Sequence, residues 1–160
     1  MRILAGLLSV FLLGAPASAN VAPPPVDAPE WAAQTVGAFF ENFNAGSVEG
    51  IASTYSDSGN FVWVENGAVV YSDKAAAVAG MKERLAATPG SRIEAINGFQ
   101  IVPAAPGAAE VVAPITLYVK DAKSGEEKAM LSGIMTLLLA FENGEWRIVS
   151  GHTSTAVSMR

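Results

Sequence analysis

Apolar residues recur at spacings of three and four from Val36 through Phe39, Phe40 and Phe43. That period predicts a helix with three aromatic rings on one face, and such a face needs cover. The string Asp27-Ala-Pro29-Glu30 ahead of it carries start signals: an Asp to cap, a Pro in the first turn and a Glu three residues after the cap. Asn44-Ala-Gly46 ends the helix, and Ser47 caps a second short one that turns Ile51 and Tyr55 inward. At Asn60 the period falls to two: Phe61-Val-Trp63-Val64, the turn Asn66-Gly67 and Ala68-Val-Val-Tyr71 predict a hairpin. Ser72 then caps a third helix reaching Ala87, with Val78, Met81 and Leu85 in one apolar stripe and Pro89-Gly90 as its stop.

Everything after Ser91 reads as strand, over residues 92–102, 110–120, 128–142 and 145–155. A Pro- and Gly-bearing loop over 103–107, a turn over 121–125 and a second Asn-Gly turn at Asn143-Gly144 separate them. The order is ααββαββββ. Neighbouring strands joined by tight turns are antiparallel, and helices grouped early against a later meander make an α+β layer fold. Strand 128–142 is apolar on both alternating sets: Met130, Ile134 and Leu138 on one side, Leu131, Met135, Leu137, Leu139 and Phe141 on or near the other. One face packs on the helices; the other needs cover unless the strand is sharply curled. With only three helices to supply it, a homodimer through the sheet is the favoured reading.

The N-terminus changes the picture of where this fold works. Arg2, an apolar run over 3–13 and the small-residue site Ala17-Ser18-Ala19 read as a secretory signal over residues 1–19, cleaved after Ala19. The run is too short to span a bilayer, which takes about 20 apolar residues, so no membrane insertion is expected after cleavage. The alternative, a retained anchor, sits poorly with the Pro-rich stretch that follows. Residues 20–29, with Pro23, Pro24, Pro25 and Pro29, read as a tether, and residues 30–157 as one domain. The expected location is exported, either periplasmic or extracellular. The chain carries −5 at pH 7, one unit more negative without Arg2. Its basic residues are scattered, with no stripe to neutralise phosphates, which excludes nucleic acid as the expected partner. It has no cysteine, so it must hold together by burial alone. A chain of this size has the core to do so, burying about two-thirds of its unfolded surface.

Three strings resemble the nuclear-transport-factor-two-like superfamily, in particular its SnoaL-like branch, in a match that covers most of the mature chain, from about Pro29 to Thr155. They are Tyr55-Ser-Asp57 leading into Phe61, Ser72-Asp-Lys-Ala75 opening the third helix, and Trp146-Arg-Ile148-Val149 followed by His152-Thr-Ser154. Ser58 stands where related chains often place a second Asp, and Ser72 where they often have Gly. The resemblance implies a cystatin-like roll: a cone-shaped, curved antiparallel or mixed sheet packed against the three helices. It also implies a pocket, but no single activity, because relatives include isomerases, dehydratases, hydrolases, cyclases and proteins that only bind or pair.

Within such a cone, His152 is a candidate base, being the only histidine and the side chain that titrates nearest neutral pH. Plain strand alternation puts it on one face with Trp146, Ile148, Ser150 and Ser154; the other reading is a histidine hydrogen-bonded near the strand end or at the dimer seam. Asp57 is the second catalytic candidate if it points into the mouth, where burial would raise its pKa; the other reading is a turn former. Tyr55, Trp63, Tyr71, Met81 and Tyr118 offer apolar surface with polar handles for a flat ligand, or else ordinary core. Ser132 and Thr136, with Thr116, supply hydroxyls on neighbouring strands that either bond to backbone or await a ligand. A lone histidine does not make a zinc site, and no nucleophile elbow, phosphate loop or Cys-His pair is present. No metal and no cofactor are expected. The expected function is binding of a small, mostly apolar molecule in the cone. The alternatives are an isomerase, dehydratase or hydrolase on the same pocket, or a dimeric interaction module without ligand.

Overall fold

The computed structural model describes residues 28–121 and 123–156. The expected leader over 1–19, most of the Pro-rich tether and the expected Asp27 cap lie outside these residues. No described helix is long and apolar enough to cross a membrane.

Helix α1 (Ala28–Asn44) begins within the last two residues of the segment read as tether. Its aromatic face is buried as its spacing requires: Val36, Phe39, Phe40 and Phe43 are all in the core. Gly46, at φ 69°, turns the chain. Helix α2 (Val48–Thr54) starts where the Ser47 hydroxyl accepts the Gly50 N–H. Strands β1 (Val62–Glu65) and β2 (Ala68–Tyr71) form the expected hairpin. Asn66 and Gly67 take the positive φ values, 49° and 82°, that its two-residue turn demands. Helix α3 (Lys74–Ala87) is capped by Asp73, whose Oδ1 accepts the Ala76 N–H at 2.8 Å, one residue later than the Ser72 cap expected.

The single strand expected over 92–102 is two, β3 (Arg92–Ala95) and β4 (Gln100–Ala105), so the order is ααββαβββββ. Both pair with β5 (Ala108–Lys120), and the break falls opposite Pro114. The N–H and C=O of one strand residue face the same neighbour. Pro114 accepts the Ile96 N–H at 2.7 Å, so its missing donor faces the same edge. Deprived of that bond, the edge turns away through Asn97 and Gly98, both at positive φ. The loop expected over 103–107 shrinks as well. Pro103 is tolerated in β4 because that strand is an edge with a bulge between Pro103 and Ala105.

Strands β6 (Glu127–Glu142) and β7 (Glu145–Thr155) complete a meander with β5, and β7 pairs in parallel with β1. The sheet order is β2-β1-β7-β6-β5-β3, with β4 also on β5. Bulges interrupt four of its pairings and curl it around α1. The inner face carries Ala109, Val111, Ala113, Ile115 and Leu117 of β5 and Met135, Leu137 and Leu139 of β6, all buried against the helices.

The bulge between β6 and β7 changes the phase of β7. Leu139 faces Ile148 but Leu138 faces Ser150, leaving Val149 as the extra residue. Before it, Trp146 and Ile148 point inward; after it, Gly151 is buried while His152 and Ser154 are exposed. The alternation that put His152 on one face with Trp146 is therefore corrected: the extra residue moves it to the other side of the sheet.

Gly151 sits beneath the Trp63 indole, and a Cβ there would lie 2.3 Å from its ring carbons. Gly151→Ala is expected to cost about 1–3 kcal/mol by overpacking, read from the urea midpoint. Combining it with Trp63→Phe should cost less than the sum of the two single changes; additive effects would contradict this contact.

Candidate functional site

The curled sheet and the helices enclose an apolar cup of about 110 Å³. Phe39 and Phe43 from α1, Trp63 from β1, Met81 from α3, Leu117 from β5 and Met135 from β6 line it. These six are buried. Its polar lining is gathered at one end, the mouth, where Glu65, Asn66, Arg84, Thr153 and Thr155 are partly or fully exposed. Arg84 Nη2 donates to Glu65 Oε1 at 2.6 Å, tying α3 to β1 across that end. A half-exposed pair of this kind is worth at most about 1 kcal/mol, so it can open at little cost. Asn66 Oδ1 accepts the Thr155 N–H at 2.8 Å and its hydroxyl at 3.1 Å, and the Asn66 N–H donates to the Thr153 carbonyl at 2.9 Å.

Of the residues singled out in the sequence, Trp63 and Met81 line the cup. Tyr55 stands behind that wall. Its ring packs on Phe61 at 4.8 Å, Trp63 at 6.1 Å and Phe39 at 6.2 Å. Burial pushes its hydroxyl well above the usual tyrosine range, against the opposing charge of Arg84. Tyr71 packs its ring against Gly80 of α3.

Four candidates face away from the cup. Tyr118, on the outer face of β5, lies under the Arg92 guanidinium at 4.3 Å. Ser132 shares a 2.9 Å hydrogen bond with Thr116 there, and Thr136 is paired across strands with His152. His152 is exposed on this same face.

Asp57 is exposed at the end of α2, where Lys74 Nζ donates to its Oδ1 at 2.7 Å and to the Tyr55 carbonyl at 3.1 Å. That hydrogen bond and the lysine charge hold its carboxyl below the usual range, opposite to the rise expected from burial. The structure therefore brings neither His152 nor Asp57 to the cup.

None of the five mouth residues stood out as a site candidate in the sequence, although the charged pair, Glu65 and Arg84, had a signal. Glu65 is two residues beyond Trp63 on the same strand, and Arg84 three beyond Met81 on the same helix, so each shares the face of a pocket residue. A second hollow, an open groove of about 360 Å³, runs between α1 and the β6–β7 hairpin past Trp31, Thr35 and Trp146. The buried Trp146 Nε1 has no hydrogen-bond partner among the described residues.

A helix-backed, open curved sheet enclosing a pocket defines a pocket-bearing α+β domain. The SnoaL-like domain family matches residues 32–158, and the chain belongs to it. An NTF2-like protein from Shewanella oneidensis MR-1 is similar in structure, with a TM-score of 0.65 and 19% identity over 79% of this chain and 98% of its own. A protein with a cystatin-like fold from Caulobacter vibrioides gives 0.67 and 19%, over 81% and 90%. An NTF2-like superfamily protein from Salmonella enterica serovar Typhimurium gives 0.70 and 11%, over 82% and 92%. At such identities the likeness is one of fold. No curated protein matches the chain.

The buried Tyr55 hydroxyl sets an alkaline limit. Its pKa is raised in the folded state above the unfolded value near 10, so the neutral form favours folding. Its contribution is complete below pH 10 and is lost as the pH rises beyond that. Wild-type unfolding free energy should fall from pH 9 to pH 11 more steeply than that of Tyr55→Phe; equal slopes would contradict the burial of this group.

Proposed function

We propose that this is an exported SnoaL-like domain that holds one small, mostly apolar molecule in its cup and pairs with a second copy through its outer sheet face. The observation that carries the binding reading is the cup itself: an apolar hollow with its polar groups confined to one end. Such sites bury the body of a ligand and orient it with a few polar contacts. Binding is favoured over turnover because the two candidate bases stand outside the cup, and the carboxylate at its mouth is engaged by Arg84.

Export is supported by the signal-like residues 1–19. Pairing is supported by the outer face. Ile134 and Leu138 on the central strand β6 are 43% and 40% exposed, and Val102 on β4 is 50% exposed. Apolar side chains aligned on a sheet face are the kind of surface a second copy covers.

One-ring neutral compounds such as phenol and cresol should raise the melting temperature of the wild type with concentration, as mass action requires. They should not raise that of Met135→Trp, in which the indole fills the cup. In sedimentation the wild type should run as a dimer and Leu138→Asp as a folded monomer. A wild type indifferent to the whole series would contradict the binding reading, and a monomeric wild type the pairing.

A further inference from the structure

The groups at the mouth say what the polar end of the ligand is. Resting on the cup as a binding site, we propose that it takes a small carboxylic acid with a short apolar tail. In this reading the tail enters the cup, Arg84 and Asn66 take the carboxylate oxygens, and Glu65 acts as the group that the ligand displaces.

Three observations carry this. The first is the balance of free donors and acceptors. A guanidinium has five N–H donors, and the hydrogen bond Arg84 makes with another side chain is the one from Nη2 to Glu65. The Asn66 amide is oriented without ambiguity, because its oxygen takes both the Thr155 N–H and the Thr155 hydroxyl. Its Nδ2 therefore keeps two donors that have no protein partner among the described residues. Against these stand one unused oxygen of Glu65 and the hydroxyl oxygens of Thr153 and Thr155, still fewer than the free N–H donors. A mouth with more donors than acceptors selects a ligand that brings acceptors, and a guanidinium matches the two oxygens of a carboxylate as a fork.

The second observation is the lining beyond the mouth. Phe39, Trp63, Met81, Leu117 and Met135 present rings, methylenes and thioethers. A second polar group on the ligand would be buried there without a partner, which is costly. The ligand is therefore polar at one end only.

The third is size. The cup, at about 110 Å³, is smaller than an engineered apolar cavity of about 150 Å³ that binds benzene. The tail is limited to one ring or a short alkyl chain, well below the size of a fused-ring compound.

Glu65 then becomes a selectivity device. With the cup empty it neutralises Arg84; with an acid bound it must yield that partner, and its own charge opposes the anion. Removing the Glu65 charge should strengthen binding of acids and leave apolar compounds unaffected.

Calorimetric titration of the wild type, Arg84→Gln and Glu65→Gln with toluene, benzoate and benzylamine tests this. Benzoate should bind the wild type at least about tenfold more tightly than benzylamine, and more tightly than toluene. Arg84→Gln should lose about tenfold for benzoate while toluene stays within about twofold, which also reports that the variant is folded. Glu65→Gln should gain for benzoate alone. If toluene binds but benzoate does no better, or if Arg84→Gln weakens both equally, the acid proposal falls and the apolar cup stands. If neither toluene nor benzoate binds the wild type, the cup reading falls and takes this proposal with it.

Discussion

The rest of the structure depends on the packing of Trp63 between α1 and the backbone of β7. Its indole lies 6.0 Å from the Phe39 ring on one side and over the bare Gly151 backbone on the other. Gly151 belongs in this account for its missing Cβ: any side chain there would push the indole away from the sheet. With the ring seated, β1 lies parallel beside β7, and Tyr55 packs behind it against Phe61 with the two rings tilted. The same indole lines the cup. Aromatic pairs of this kind contribute about 0.5–1.5 kcal/mol each beyond their area burial. The cluster therefore adds packing energy and also sets the position of the hairpin that carries Glu65 and Asn66 to the mouth.

The sheet has two faces with different tasks, and the bulges decide which residue serves which. Inside, β5 and β6 pack against the helices through small and branched side chains. Outside, Ile134 and Leu138 alternate with Ser132 and Thr136 on the same strand, and His152 stands across from Thr136. The two-sided apolar character of β6 is thus a property of the longest strand in the sheet, central in its order, and the proposed pairing gives its outer side a partner.

Periodicity carried most of the fold. The α1 aromatic face, the Ser47 cap, both Asn-Gly turns and the long meander follow from local rules because each is decided within a few residues. What escaped depends on pairing between distant segments. The split of β3 from β4 is a response to Pro114 on the neighbouring strand, and a window confined to residues 92–102 does not contain it. The shared face expected for His152 and Trp146 failed because one inserted residue at Val149 changes the phase of everything after it, and bulge positions have no strong local code. For the site, Trp63 and Met81 were legible as pocket wall. Glu65 and Arg84 escaped because the mouth is assembled from a hairpin and a helix that meet only in the folded chain.

The claim on which the functional account stands is that a dry, accessible apolar hollow exists behind the Glu65–Arg84 pair. Xenon tests this directly, because it enters small apolar cavities without needing any polar partner. A crystal of the protein under xenon pressure should show one strong peak among Trp63, Met81, Leu117 and Met135, with the surrounding side chains unmoved. A cup without xenon, filled instead by rearranged side chains or by ordered water, would contradict the account.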